Sequence, residues 1–231
     1  MLGFLGEPRV NVLVTNLLDL SRIEGGALRP EREPFVLADV VADAIDRLRP
    51  QLAGRDVAVD VAADLPLVLV DPVHLDQALA NLLQNAERHT SATAAIRVTA
   101  REDAIERRVV LVVEDGGPGV PDELLPRLFE RFFRIVPPRE GSRRGTGIGL
   151  TVVRGLVESM GGTVAARRSD LGGLAVEVEE GHDAGDRQDA RMTAQRDRGQ
   201  RQRDQREDGE DREEPEAADH EDQPGLELPN G

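Results

Sequence analysis

The spacing of hydrophobic residues along the chain predicts a succession of helices and strands. Apolar side chains recur every three to four residues in segments 10–24, 35–52, 72–89 and 147–160, as expected for amphipathic helices. Runs rich in valine and isoleucine predict strands at 57–61, 96–101, 109–114, 163–168 and 174–179, and a turn at 170–173 joins the last two into a hairpin. Since helices and strands alternate, we expect an α/β sandwich with helices on one face of a mixed sheet.

The two ends of the chain differ from the middle. Residues 10–24 predict a lone amphipathic helix whose apolar stripe needs a partner. From residue 181 the composition changes to Arg, Asp, Glu, Gln and Gly, with almost no aliphatic side chains before residue 226. Such a segment buries too little surface to offset chain entropy, so we expect residues 181–231 to be a disordered, charged tail. An acidic interaction tail, an inert extension and an altered reading frame remain alternative explanations of it.

Composition narrows the classes of function. The chain has 231 residues, of which 39% are hydrophobic, and this is enough for a core over part of the length. It contains no cysteine, which excludes disulfides and thiol chemistry. The net charge of −15 opposes non-specific binding to nucleic acid, so we expect no nucleic-acid partner. No apolar run approaches the roughly 18 residues of a membrane span, and the start lacks a signal-peptide pattern. We therefore expect a soluble, cytoplasmic chain.

Two asparagines one helical turn apart mark the predicted helix 72–89. Asn81 and Asn85 lie on the same face of this helix. Asparagine is a poor residue for a helix interior, because its amide competes for backbone hydrogen bonds. The pair therefore indicates a polar role for both side chains. The alternative is two amides that are simply solvated or hydrogen-bonded within a polar layer.

A first glycine motif follows the apolar strand 109–114. Asp115, Gly117 and Gly119 form an Asp-x-Gly-x-Gly pattern directly after this strand. A carboxylate at the mouth of an apolar pocket can accept a hydrogen bond from an exocyclic amine such as that of adenine, and glycines let the backbone turn close to a ligand. Taken alone, the motif is also explained by an ordinary strand-ending turn.

A second glycine motif, residues 145–150, leads into the predicted helix 147–160. Gly145, Gly147 and Gly149 would present unpaired N–H groups and the positive end of the helix dipole, which suit phosphate oxygens. A dinucleotide-binding fold requires a strand before the glycines, whereas a loop precedes them here. The chain also has no P-loop Gly-Lys-Ser/Thr sequence.

Between the two motifs, residues 128–134 hold three of the five phenylalanines of the chain. Their rings are expected to pack a short helix onto the core, which does not exclude a role in fixing a lid. In order, the asparagine pair, the Asp-x-Gly-x-Gly, the phenylalanine cluster and the Gly-x-Gly-x-Gly resemble the N, G1, F and G2 boxes of sensor histidine kinases. This resemblance to sensor histidine kinases extends over residues 13–178. Together with residues 17–30, the Asp64-Leu-Pro-Leu sequence and the ending Gly161-Gly-Thr-Val-Ala-Ala make the pattern similar to potassium-responsive sensor kinases of the Kdp type.

This resemblance implies a division of the chain into three parts. Residues 31–180 would form the ATP-binding catalytic domain, a two-layer α/β sandwich of the Bergerat type that binds ATP with Mg²⁺. Residues 1–30 are similar to the end of the second helix of the dimerisation hairpin and the linker after it, and would form a partial helical hairpin. Residues 181–231 are the predicted tail. A membrane would be reached only through a sensor part absent from this chain.

The resemblance also implies a role for each motif residue. Asn85 would offer its amide oxygen to Mg²⁺, a hard ion that prefers oxygen ligands, and Asn81 would support the metal and phosphates from the preceding turn. Arg88 would contact phosphate oxygens. His89 stands where many members have Tyr or Phe against the nucleotide, which leaves its stacking role open. Asp115 would bind the adenine amine.

Glycines and residues near the predicted lid complete the nucleotide site that the resemblance implies. Gly117 and Gly119 would shape the pocket floor. The remaining predicted contacts to the nucleotide lie at the lid and at the start of the following helix, and are Arg134, Gly145, Thr146, Gly147, Ile148, Gly149 and Leu150.

Position 81 separates neighbouring enzyme classes. The gyrase, Hsp90 and MutL ATPases and the anti-sigma serine kinases usually carry Glu there, and that Glu activates the attacking water or hydroxyl as a general base. A neutral amide cannot do this, so Asn81 argues against an ATP hydrolase. In a histidine kinase the pocket only positions ATP and Mg²⁺, and the acceptor imidazole attacks the γ-phosphorus in line.

The acceptor histidine is not recognisable in this chain. None of His74, His89, His182 and His220 lies in a His-(Glu/Asp)-x-x-(Thr/Asn)-Pro-like box. We expect ATP binding without autophosphorylation by this chain alone, with the acceptor hairpin supplied by another kinase chain and a response regulator engaged indirectly. The alternative is a non-catalytic nucleotide-binding fragment or regulator that pairs with a full-length kinase through residues 10–24.

Overall fold

The computed structural model describes residues 8–52, 55, 57–135 and 146–183. This part of the chain contains four α-helices, α1 Pro8–Glu24, α2 Leu37–Leu48, α3 Pro72–His89 and α4 Gly149–Met160. A 3-10 helix spans Asp122–Phe129. The strands are β1 Glu33–Phe35, β2 Val57–Val61, β3 Leu67–Val70, β4 Ile96–Asp103, β5 Arg108–Asp115, β6 Thr163–Arg168 and β7 Leu174–Asp183.

The strands of the described residues form one mixed sheet. Their order is β1-β3-β7-β5-β4-β2, and β6 lies beside β7. β2 runs parallel to β4, whereas the other described pairs are antiparallel. In this register Ile96 of β4 lies opposite Asp115 of β5, and Ala175 of β7 lies opposite Glu114. The carboxyl end of β5 is therefore flanked by a strand on each side.

The hydrophobic core lies between helices α2, α3 and α4 and one face of the sheet. β5 shows this division through its alternating side chains. Val109, Leu111 and Val113 are buried in the main core, whereas Val110 and Val112 belong to a smaller cluster on the opposite face. The predicted two-layer α/β sandwich is confirmed.

The face of the sheet opposite the helices carries a ladder of ion pairs near the end of β5. The Glu114 side chain is 3% exposed and accepts hydrogen bonds from Arg97 at 2.8 and 2.6 Å and from Arg167 at 3.3 Å. Arg167 also donates to Glu177 at 2.7 Å. Because Glu114 is buried, the two guanidinium groups offset the cost of removing its charge from water.

Helix α3 begins and ends at capping side chains. The Asp71 carboxylate accepts a hydrogen bond from the backbone N–H of Val73 at 2.9 Å, and Pro72 occupies the first turn, where no intrahelical N–H partner is required. At the other end the Thr90 hydroxyl donates to the Ala86 carbonyl at 2.7 Å. The helix that carries the asparagine pair is thus fixed at both ends.

Helix α1 packs against the rest of the domain. Leu20 is part of the main core, and Ile23 fills the space beside Gly155 of α4, where an added Cβ would lie 2.5 Å from the Ile23 Cδ1. The other side of α1 exposes three apolar side chains, Val14, Leu17 and Leu18. No helix in the described part of the chain combines the length and hydrophobicity needed to cross a membrane.

Two short strands differ from the sequence prediction. The predicted helix 35–52 begins at Leu37 and ends at Leu48, and β1 precedes it because its three residues pair with residues 68–70 of β3. β3 itself was not predicted. It is a four-residue run between Pro66 and Asp71, too short to show a periodic pattern.

The limits of α4 and β7 also differ from prediction. α4 begins at Gly149 rather than at residue 147, because Gly147 has a φ of 72°, which a right-handed helix does not accommodate. β7 extends to Asp183 because its last residues pair with β3, so the predicted tail begins within a strand. Residues 184–231 lie outside the described residues, and their disorder stays a prediction.

The phenylalanine cluster is less helical than expected. The 3-10 helix contains Pro126 and ends at Phe129, so it includes only the first two residues of the cluster. Phe129 is buried in the core, as predicted, whereas Phe132 is 65% exposed. Residues 131 and 132 form an exposed turn at the surface.

Candidate nucleotide site

The candidate site lies where the end of β5, the second half of α3 and the start of α4 meet. Gly149, at the start of α4, is so close to α3 that an added Cβ would lie 3.3 Å from the Asn81 Oδ1. Gly117, just after β5, is similarly close to the end of α3, since an added Cβ would lie 3.0 Å from the Thr90 Cγ2. Three motifs that are separate in sequence are therefore brought together around one helix.

The two asparagines of α3 have different surroundings. Asn81 is 5% exposed, and Asn16 of α1 donates to its Oδ1 at 2.7 Å and accepts from its Nδ2 at 3.2 Å. Gln77 also donates to the Asn16 Oδ1, at 3.1 Å. Asn81 thus has the geometry of the alternative reading, a hydrogen-bonded amide in a polar layer. Its support of a metal and phosphates stays a prediction.

Asn85 and Arg88 continue the same helix toward the candidate pocket. Both side chains are half-buried. No hydrogen bond joins the Asn85 amide to another described residue, in contrast with Asn81, so its oxygen can be offered to a ligand. The predicted contacts of Asn85 to Mg²⁺ and of Arg88 to phosphate stay predictions.

Backbone groups hold Asp115 at the end of β5. Its side chain is 6% exposed, and Oδ1 accepts hydrogen bonds from the N–H of Gly117 at 2.8 Å and of Leu174 at 3.3 Å. Burial raises the pKa of Asp115 above its ordinary value, and these two hydrogen bonds oppose the rise. With Oδ1 anchored, Oδ2 is the oxygen that can accept a hydrogen bond from a ligand amine.

Glycines are required around Asp115. An added Cβ on Gly117 would lie 2.8 Å from the Asp115 Oδ1, and one on Gly173 would overlap the same oxygen. Gly119 has a φ of 73°, and its Cβ would lie 3.1 Å from the carbonyl oxygen of Gly172. The first glycine motif therefore lies against the turn between β6 and β7, with backbone on both sides.

The second glycine motif contacts the phenylalanine cluster. The N–H of Phe132 donates to the carbonyl of Gly147 at 3.0 Å, and a Cβ on Gly147 would lie 3.0 Å from the Phe132 Cα. Both residues have positive φ, 72° at Gly147 and 58° at Phe132. This backbone contact joins the cluster to the residues that precede α4.

The remaining residues predicted at the start of α4 have different positions. The side chain of Ile148 is fully buried in the core and that of Leu150 is partly buried, so they would serve a nucleotide through their backbone. The first N–H groups of α4, from Gly149 onward, have no partners within the helix. Thr146 is exposed. Gly145 lies outside the described residues, and its role stays a prediction.

Four predicted residues share one electrostatic environment. Partial desolvation of the ring and the positive charge of Arg88 lower the pKa of His89 below its ordinary value, with a further contribution from Arg134. The charge of Asp115 acts in the opposite direction. His89 is therefore favoured as neutral imidazole at pH 7, which suits packing or hydrogen bonding to a ligand.

The side chains at the site suit a nucleotide that binds together with a metal ion. No group of three or more His, Cys, Asp or Glu side chains in the described ranges could hold a metal. Mg²⁺ usually binds one or two protein oxygens together with substrate phosphates and waters, and the half-buried Asn85 amide could provide such an oxygen. Asp115 suits an adenine amine, and the start of α4 suits phosphates.

Several residues that shape the site were missed from sequence. Asn16 contacts Asn81 across 65 positions, and Arg55 contacts Thr90 across 35 positions. No local pattern marks such pairs. The turn residues 172 and 173 did carry a signal, a glycine pair, but it predicted only the hairpin and not its contact with the pocket.

Residues 70–181 match the family model of histidine kinase-, DNA gyrase B- and HSP90-like ATPases. The sensory/regulatory protein RpfC of Xanthomonas campestris is 38% identical to this chain over 169 residues, which cover 70% of the chain and 23% of RpfC. The sensor protein KdpD of Mycobacterium tuberculosis is 35% identical over 177 residues, covering 74% of the chain and 20% of KdpD, and it supports the Kdp-type resemblance. The chain spans about a fifth to a quarter of the length of these relatives.

Two solved structures share the fold. The mycobacterial sensor histidine kinase MprB matches with a TM-score of 0.58 and 26% identity, covering 65% of this chain and 100% of the MprB chain in that structure. Full-length ShkA in complex with AMPPNP matches with a TM-score of 0.63 and 27% identity, covering 77% of this chain and 37% of ShkA. Residues 70–181 therefore form a domain of the histidine kinase-, DNA gyrase B- and HSP90-like ATPase type, and the homologues of the chain are sensor histidine kinases of two-component systems.

Proposed function

We propose that residues 31–180 bind ATP with Mg²⁺ and position the γ-phosphoryl group for transfer to a histidine on the acceptor hairpin of another kinase chain. The observation that carries this proposal is the convergence of Asp115, the end of α3 and the start of α4. The similarity to ShkA, whose structure contains AMPPNP, supports it.

Each part of the site acts on a different portion of the nucleotide. The Asp115 Oδ2 accepts a hydrogen bond from the adenine amine, while Gly117 holds the other carboxylate oxygen. Backbone N–H groups from Gly149 onward bind phosphate oxygens at the positive end of α4. The Asn85 amide oxygen binds Mg²⁺, and Arg88 contacts the phosphates. Bound Mg²⁺ would neutralise charge on the phosphates as the phosphoryl group is transferred.

Position 81 favours phosphoryl transfer over hydrolysis. Asn81 is neutral and its amide is engaged by Asn16, so it cannot remove a proton from water. A histidine acceptor already carries a nucleophilic nitrogen and requires only that ATP be held in line with it. The role of the domain is therefore to bind ATP and to orient its γ-phosphoryl group.

The test mixes the chain with γ-labelled ATP and Mg²⁺, with and without a separately made acceptor-hairpin domain. A labelled hairpin supports the proposal, and failure to bind ATP refutes it. Asn85→Ala should abolish labelling. Gln84→Ala is the matched control, because Gln84 is the neighbouring amide on α3 and donates at the surface to Gln51, at 3.2 Å.

A non-catalytic nucleotide-binding regulator is the second candidate function. The docking of Asn16 on Asn81, with Val14, Leu17 and Leu18 exposed, favours a chain that pairs with a full-length kinase through residues 10–24. Nucleotide binding without transfer to the hairpin would identify this function. A cytoplasmic location and indirect engagement of a response regulator stay predictions.

A further inference from the structure

Arg55, in the connection after α2, closes the carboxyl end of α3 with its guanidinium group. Nη1 donates to the Thr90 hydroxyl and, at 2.8 Å, to the Ser91 carbonyl. Nη2 donates to the carbonyls of Glu87 at 2.7 Å and Thr90 at 3.3 Å. The last carbonyls of a helix lack partners within it and carry the negative end of its dipole. The planar guanidinium therefore satisfies several of these acceptors at once.

Thr90 connects this cap to the candidate pocket. Its hydroxyl donates to the Ala86 carbonyl at 2.7 Å, which fixes the rotamer and directs the methyl group toward Gly117. An added Cβ on Gly117 would lie 3.0 Å from that methyl, so the methyl lies next to Gly117 and leaves no room for a side chain there. The N–H of Gly117 in turn donates to the Asp115 Oδ1 at 2.8 Å. A displacement of Thr90 would thus move the backbone that orients the Asp115 carboxylate.

We propose that Arg55 is a positioning residue for nucleotide recognition. It holds Thr90 and the last turn of α3, and through them it keeps Gly117 and Asp115 in place for the adenine amine. The inference rests on the proposed ATP-binding function. The four acceptors are three carbonyls and one hydroxyl, so the role depends on the forked shape of the guanidinium. A lysine ammonium keeps the charge but cannot present parallel donors to this set.

The test compares Arg55→Lys and Arg55→Gln with the parent chain by calorimetric titration. The two titrants, each with Mg²⁺, are ATP and the triphosphate of purine riboside, which lacks the 6-amino group. We expect the Kd for ATP to rise about tenfold in both variants. The preference for ATP over the analogue should also fall, because only ATP uses the amine contact. A cap that merely stabilises the fold would leave this preference unchanged.

Arg47→Gln is the matched control. Arg47 donates to both carboxylate oxygens of Asp76, at 2.7 and 2.6 Å, and so contacts the first half of α3. We expect Arg47→Gln to keep the parent preference for ATP over the analogue. If it lost that preference to the same extent as Arg55→Gln, the effect would be general loosening of α3 and the inference would be overturned.

Thr90→Val tests the route from Arg55 to the pocket. It removes the hydroxyl and keeps a methyl group toward Gly117. We expect Arg55→Gln to weaken ATP binding less in the Thr90→Val background than in the parent. Full additivity, or an unchanged ATP preference in both Arg55 variants, overturns the inference while ATP binding by the parent stands. If the parent itself binds no ATP, the proposed function fails and the inference fails with it. If Arg55→Gln does not fold by circular dichroism, Arg55→Lys decides.

Discussion

Glu180 is a buried carboxyl that should make the folded chain less stable as pH rises. Replacing it with Gln should abolish this pH dependence. Glu180 lies on β7 with a 5% exposed side chain, beside a small cavity that is also lined by Leu37, Leu75 and Val109. Within the described part of the chain its Oε1 has no hydrogen-bond partner. Burial raises the pKa of Glu180 to about 8, and the charge of Arg32 opposes this rise only in part.

The direction of the effect follows from proton binding. Between the ordinary pKa of 4.5 and the folded pKa of about 8, the folded chain keeps a proton on Glu180 that the unfolded chain has released. The free energy of unfolding therefore falls as pH rises through this window, by roughly 1 kcal/mol or slightly more for each pH unit. The whole window amounts to roughly 4 to 5 kcal/mol, a large share of the roughly 5–15 kcal/mol typical of a domain. Outside the window this carboxyl adds no further pH dependence.

Urea unfolding of the parent and of Glu180→Gln between about pH 4 and about pH 9 measures the difference. Near pH 4 both side chains are neutral, so the two stabilities should be similar, and this comparison controls for the change from carboxyl to amide. The curves should then diverge, with the variant more stable by several kcal/mol at pH 8. Parallel curves over the whole range would refute the reasoning, because they would show that folding does not change the proton affinity of Glu180.

Four other outcomes are expected. Asn85→Ala should abolish Mg²⁺-dependent ATP binding while circular dichroism shows an unchanged fold. Asp115→Ala should lower the preference for ATP over an analogue without the 6-amino group by about tenfold, measured by calorimetry. Asn16→Ala should lower the free energy of urea unfolding by roughly 1–3 kcal/mol, because the buried Asn81 Oδ1 loses the hydrogen bond that Asn16 donates. Gly155→Ala should displace α1 and speed its proteolysis at a stability cost of about 1–3 kcal/mol. An unchanged value in any of these assays contradicts the corresponding contact.

The sequence predicted the elements with strong local signals. Helix α3 was placed correctly at 72–89 because a proline begins it and apolar residues recur along it. The hairpin of β6 and β7 was recognised from two valine-containing runs around a glycine turn. Asp115 was identified because it directly follows the predicted apolar strand 109–114, and the structure places it as the last residue of β5. The spacing of apolar residues and the positions of proline and glycine are local properties of the sequence, and they were sufficient to predict these features.

The features that were missed depend on contacts between distant segments. β1 is a strand because it pairs with β3, and β3 because it also pairs with β7; neither has enough residues to show a pattern. Gly155 is an ordinary helix residue in the sequence, but it is the place where Ile23 packs. Arg55 is one of many arginines, and only the fold brings it to the end of α3. Such pairings are set by tertiary packing, which a single sequence does not display.

Glu114 and Asp115 are adjacent acids with opposite surroundings. Glu114 is clasped by Arg97 and Arg167 on the side of the sheet without helices, whereas Asp115 is bonded by backbone N–H groups beside α3. Consecutive strand residues point to opposite sides of the sheet. The register of β5 with its neighbouring strands therefore decides which of the two acids can contact a ligand. A shift of β5 by one residue would exchange the positions of the two acids. The acid that is paired with arginines would then lie where the ligand amine is expected to bind. The choice of recognising acid is thus a property of strand alignment, and an insertion before residue 114 would alter it even if both acids were kept.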